Sequence, residues 1–136
     1  MDFDAKYETG VLWQDFQHKQ LIDLFTQVKE ARASNKDQNL YRYTVAFLAM
    51  YVNHHFKLEE KYMEQYKYPG RKLHTKEHQD FVHELKEFRM DNKDYSPQAG
   101  DDLLMRMGEW ILSHILEDDQ KLGKHILNWE KTSGKS

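Results

Sequence analysis

Cysteine is absent from this 136-residue chain, which excludes disulfides and thiolate metal sites. Proline occurs twice and glycine six times, so breaks in regular structure are few and fall in a handful of polar stretches. No apolar run approaches the roughly 18–20 residues that a membrane-spanning helix needs. The opening stretch MDFDAKYETG is acidic, unlike a signal peptide. A strong charge of one sign is lacking as well. The net charge is −3 with both signs interspersed, which leaves no basic face for nucleic acid and no polybasic anchor for a membrane. A cytoplasmic protein with neither nucleic acid nor membrane as a partner is the expectation.

Histidine is what the chain has in excess. There are eight, alongside seven Phe, eight Tyr and three Trp, a composition that suggests metal ligands inside an aromatic shell. The length fits a single domain over 1–136 and should bury about two-thirds of the surface exposed when unfolded.

Three polar, turn-forming stretches divide the chain: ASNKDQN (33–39), YPG (68–70) and DNKDYSPQAG (91–100). Four segments of roughly 20–30 residues lie between and around them, each long enough to cross a small domain as a helix. Ser96 followed by Pro97 reads as an N-cap and first helical position. Gly123 reads as a break near the end of the fourth helix, with KHILNWE forming a short helix beyond it. Residues 1–12 read as an extended N-terminal arm and 130–136 as a polar tail.

Within the segments, apolar residues recur at alternating steps of three and four, as in His18, Leu21, Phe25, Val28 and in Leu48, Val52, His55, Glu59. That is the seam of a helix facing a core, and short connections favour antiparallel neighbours. The expected fold is all-α, an antiparallel up-down four-helix bundle.

The seams carry polar residues that a plain bundle would exclude. His18, His55, Glu59, His74, His78 and His114 occupy positions otherwise held by Leu, Val, Phe or Ile. Burying one such group without a partner costs about 1–3 kcal/mol, and far more for an ionised carboxylate. Six of them from four helices need a common partner, and a cation in the middle of the bundle would satisfy all. His55 with Glu59, and His74 with His78, are i, i+4 pairs that leave one helical face together. Imidazole with carboxylate suits zinc, iron, copper or nickel better than calcium or magnesium. Five histidines exceed what one metal with an open position takes, so two metals bridged by carboxylate fit better. His54 lies about 100° round the helix from His55 and His83 about 140° from His78, while His125 follows Gly123; all three fall off the stripe.

The elements WQDFQHKQL (13–21), HFKLEEKYM (55–63), HTKEH (74–78) and WILSHILEDD (110–119), in this order, resemble the hemerythrin family and specifically its single-domain bacterial members. The resemblance covers roughly residues 11–122. It implies two non-haem iron ions with an oxo or hydroxo bridge, binding dioxygen reversibly for storage, transport or delivery. By motif, His74, His78 and His114 would hold one iron, and His18 and His55 the other, with an open position for O2. Glu59 would bridge both irons, as would an aspartate after His114. Regular helical phase from His114 points to Asp118, whereas the family's spacing points to Asp119, which an ideal helix puts about 140° away. One π-type turn would bring Asp119 round, and Asp119 is the residue the resemblance selects. Phe56, Trp110, Ile111 and Ile115 resemble the lining of the family's O2 pocket.

The implied activity is binding and not enzymatic. The alternatives are an O2 or redox sensor working through a separate partner, and a di-iron oxidoreductase such as a peroxidase or NO-handling enzyme. Ferritin-like di-iron proteins use Glu-x-x-His pairs, and this sequence has none. A protein that accepts the O2 or the signal would be a further partner of unknown kind. A metal-free interaction bundle would leave the six polar core residues unexplained.

Overall fold

In a computed structural model, which describes residues 5–132, the chain is an all-α bundle. Helix α1 spans Leu12–Ala33, α2 Gln38–Gln65 and α3 Arg71–Asp91. The fourth arm of the bundle is one continuous rod. It starts as α4 (Pro97–Trp110), passes through a π-helical stretch at Ile111–Asp118 and continues as α5 (Asp119–Thr132). Helix α1 packs on α2 and α4, and α2 packs on α3. Connections of a few residues make sequential helices antiparallel neighbours.

The local signals behave as their chemistry dictates. Ser96 is the N-cap of α4: its hydroxyl accepts the Ala99 N–H at 3.0 Å, with Pro97 in the first turn where no donor is missed. The chain leaves α1 through Asn35 and α2 through Lys67, both with positive φ.

Two apolar clusters fill the interior. The larger includes Leu21, Phe25, Leu48, Val52, Phe81, Leu85 and Met107; the smaller contains Val11, Met63, Tyr66, Leu122 and Ile126. Along α1, α2 and the fourth rod, buried His18, His55, Glu59, His114 and Asp119 fall between residues of the two clusters.

The N-terminal and C-terminal readings need correction. Residues 1–4 and 133–136 fall outside the described residues. The rest of the arm is not simply extended, because Ala5–Tyr7 form a 3-10 turn and Tyr7 is buried. Asp15 then ties Thr9 and Gly10 to the first turn of α1. Its Oδ1 accepts the Thr9 N–H at 2.7 Å and the Thr9 hydroxyl at 2.9 Å, and its Oδ2 accepts the Gly10 N–H at 3.1 Å. Gly123 is no break: the helix runs through it to Thr132. Its role is close approach. A Cβ on Gly123 would lie 2.7 Å from Thr9 Cβ and 3.0 Å from Gln14 Oε1, so the missing side chain makes room for the arm.

A helix-interior Gly→Ala change ordinarily stabilises, by about 0.5–1 kcal/mol. Here the collision decides the sign. Gly123→Ala is expected to destabilise the chain by about 1–3 kcal/mol, as overpacking does, measured by urea unfolding; a stabilised variant would show that the arm does not rest there.

Candidate metal centre

Helical phase delivers the polar layer. Gln14 and His18 lie one turn apart on α1, His55 and Glu59 one turn apart on α2, and His74 and His78 one turn apart on α3. His114 sits inside the π stretch and Asp119 just beyond it, where the Asp119 N–H donates to the His114 carbonyl five residues back. That widened turn carries one extra residue and turns Asp119 inward. Asp118 points outward and stays partly exposed, whereas Asp119 is fully buried.

The seven side chains His18, His55, Glu59, His74, His78, His114 and Asp119 converge, each at most 3 % exposed. They form two overlapping groups. Glu59, His74, His78 and His114 make one, and His18, His55, Glu59 and Asp119 the other, with ligand-type atoms within 4.8 Å of one another in each. Glu59 divides its oxygens between them. Oε1 lies 3.0 Å from His74 Nε2, 2.9 Å from His78 Nε2 and 3.4 Å from His114 Nε2, while Oε2 lies 3.2 Å from His55 Nε2. Asp119 does the same. Oδ1 faces His114 at 2.9 Å and His74 at 3.1 Å, and Oδ2 faces His18 at 2.7 Å and His55 at 3.2 Å.

Outer contacts orient the rings. His55 Nδ1–H donates to Gln17 Oε1 at 2.6 Å, and His78 Nδ1–H to Glu60 Oε2 at 3.0 Å. An oxygen can only accept, so each contact keeps the proton on Nδ1 and leaves Nε2 free to face the centre. Gln14 is fully buried and donates from Nε2 to Glu59 Oε2 at 2.9 Å. None of these three residues is among those expected from the sequence. Gln14 is within reach of a periodic reading, because carrying the α1 stripe one turn back from His18 arrives at it; Gln17 and Glu60 carry no periodic signal.

Aromatic rings brace the histidines. Phe56 stacks on His78 at 3.9 Å and Trp110 on His114 at 3.9 Å, so both lie against the three-histidine group. Tyr51 stacks on His55 at 5.0 Å. Ile111 and Ile115 are fully buried beside His114 in the chain. The histidines off the stripe stay off the cluster. His54 is exposed, His83 is exposed beside Glu87, and His125 donates to the Tyr66 carbonyl at 2.6 Å.

Without a cation the cluster is held by protons. Burial alone would lower His55, but the charge of Glu59 and hydrogen bonding to Asp119 outweigh it and raise the ring to about 9. His74 is raised to about 9 against the same burial by hydrogen bonds to Asp119 and Glu59. Burial opposes His114 too, yet Asp119 lifts it well above the ordinary imidazole range. Burial pushes the carboxyls toward neutrality, and the Glu59 charge adds to this at Asp119. The imidazoles win: His55 foremost holds Glu59 well below its usual range, and His114 foremost does so for Asp119.

Protons do not satisfy the cluster fully. His78 Nε2 and His114 Nε2 face each other at 3.2 Å, where only one can donate, and His18 Nδ1 has no hydrogen-bond partner. Nitrogens and carboxylate oxygens converging on one space are the donor set of a transition-metal site, and the residues present fit one.

The family described as Hemerythrin HHE cation binding domain matches residues 9–126. The chain is similar to a bacteriohemerythrin of Pseudomonas aeruginosa, 28 % identical over 111 residues that cover 82 % of this chain and 71 % of that one. A bacteriohemerythrin of Stenotrophomonas maltophilia is 26 % identical over 112 residues, 82 % of this chain and 72 % of the relative. One from Campylobacter jejuni is 22 % identical over 111 residues, 82 % and 84 % of the two chains.

Two outcomes are expected. A histidine must be neutral to bind metal, and His55, His74 and His114 are all held above the ordinary imidazole range in the metal-free chain, so loading at neutral pH should release protons. Indicator-dye titration in weak buffer reads this, and loading without proton release would contradict the charge state described. Separately, Glu59→Ala should prevent binding of two ions per chain while His54→Ala leaves it intact, by metal analysis after desalting; a normal count in Glu59→Ala would remove Glu59 from the centre.

Proposed function

The chain belongs to the hemerythrin family, and on that premise we propose that it binds dioxygen reversibly at two non-haem iron ions held in the buried polar layer. The observation that carries this reading is the split of two carboxylates: Glu59 and Asp119 each turn one oxygen to the three-histidine group and one to the two-histidine group. His74, His78 and His114 would hold one ion, and His18 and His55 the other. Glu59 and Asp119 would bridge them, with an oxo or hydroxo group as the third bridge. Three imidazoles against two is an asymmetry that leaves the second ion a free position for a small ligand.

Ferrous iron in such a centre would supply the electrons for reversible O2 binding. The protein's part is to place donors and keep water out. Gln17 and Glu60 fix the tautomers of His55 and His78, so both rings present Nε2 without rearrangement. Phe56, Trp110, Ile111 and Ile115 enclose the histidines in apolar surface, and a site that excludes water protects a reduced centre from irreversible oxidation. Charge balance helps as well: the two carboxylates would offset half the charge of two divalent ions, a hydroxo bridge would offset one more unit, and the five imidazoles bind as neutral ligands. Binding, for storage, delivery or sensing, is favoured over catalysis because the centre is histidine-rich and the chain has none of the Glu-x-x-His pairs of ferritin-like di-iron proteins.

The test is direct. Protein loaded anaerobically with ferrous iron should develop a visible charge-transfer band on exposure to O2, and purging with inert gas should bleach it over repeated cycles. A band that forms once and cannot be reversed, or oxidation with turnover of an added reductant, would overturn the binding reading in favour of an oxidoreductase.

A further inference from the structure

Outside the inner cluster, a cleft of about 320 Å³ opens between α3 and the π stretch. Glu77, Asp80, Glu84, Glu117 and Asp118 line it, and His114 is among its walls. Two of these acids are already compensated: Asp80 pairs with Lys76 at 2.9 Å and Glu84 with Arg106 at 2.6 Å. Among the described residues, Glu77 and Asp118 take no lysine or arginine partner; both face the back edge of His114.

That edge is incomplete. His114 is 1 % exposed and its Nδ1 has no hydrogen-bond partner. It lies 3.9 Å from Glu77 Oε2 and 3.8 Å from Asp118 Oδ2, too far for a direct bond. The contrast with the neighbouring rings is informative, since Gln17 and Glu60 hold the Nδ1 atoms of His55 and His78 at 2.6 and 3.0 Å. At His114 the gap is left open, and the three donor atoms, two carboxylate and one imidazole, lie within 4.8 Å of one another.

We propose that Glu77, Asp118 and His114 Nδ1 form a capture site for a divalent transition-metal ion, from which metal passes to the central cluster. The donor set suits ferrous iron or manganese. His114 can serve both sides because its Nε2 lies 2.9 Å from Asp119 Oδ1. An arriving ion would take one oxygen each from Glu77 and Asp118 and the Nδ1 atom of His114, the three donors that already lie within 4.8 Å of one another. With no lysine or arginine beside them among the described residues, Glu77 and Asp118 draw cations to the mouth. The inference rests on the metal-centre assignment and is independent of what that centre does with O2.

Anaerobic stopped-flow loading of the metal-free chain with ferrous iron tests it, followed by the fluorescence of Trp110, which stacks on His114. The parent rate should saturate with iron concentration, as capture before transfer demands. Replacing both acids (Glu77→Gln with Asp118→Asn) should slow uptake about tenfold and make it linear in iron, with the final iron count and the helical circular dichroism unchanged. Glu77→Asp alone should keep uptake fast and saturating. A parent rate linear in iron, an unchanged rate in the double variant, or a lowered final count would each overturn the proposal, the last because the pair would then support the centre instead of feeding it. Loading is read under argon, so a parent chain that takes up iron normally but shows no reversible O2 band defeats the functional reading and leaves this one standing.

Discussion

Two carboxylates buried in the middle of an apolar bundle are the constraint on which the rest of this molecule depends. Glu59 and Asp119 are fully buried, and isolated charges there would be prohibitively costly. Each must be surrounded by groups that can carry positive charge, and the five imidazoles meet that need from four directions. The arrangement explains why all four helices contribute at the same level and why apolar clusters close over that level from both ends. It also explains the outer ring of Gln14, Gln17 and Glu60, since a buried ionic layer is stable only when its remaining polar atoms are also occupied.

Regular helical geometry is enough for six of the seven side chains and fails for the last. His18, His55, Glu59, His74, His78 and His114 sit at steps of three or four along seams of apolar residues, so their convergence is legible in the sequence. Asp119 is not legible from periodicity, which favours Asp118. Only the family resemblance selects it, and the π stretch at Ile111–Asp118 is the backbone feature that reconciles the two. Local propensity does not announce such a widened turn; what stabilises it is the burial of Asp119 against His18 and His114.

Other features escape a sequence reading for different reasons. Gln17 and Glu60 are each next in sequence to a cluster residue and therefore about 100° off its stripe; they reach their histidines sideways, across a helix–helix boundary that a single-helix pattern cannot represent. Gly123 misleads because a glycine in a helical stretch has two meanings, a stop or a close approach, and only the position of Thr9 distinguishes them. The arm escapes because its docking depends on Asp15, whose three hydrogen bonds are made to residues five and six positions earlier in an irregular segment.

The extra residue in the π stretch acts as a shim in the register of the whole fourth rod. Every residue after it is rotated by about 100° relative to an uninterrupted α-helix, so the same insertion that turns Asp119 inward also aims Leu122 and Ile126 at their cluster and Gly123 at the arm. A deletion of one residue between His114 and Asp119 would misdirect all four together, and no single substitution downstream could restore them. Chemistry at the centre and packing at the end of the bundle are thereby tied to one count of residues, which makes length between these two side chains a stricter requirement than the identity of most residues that lie there.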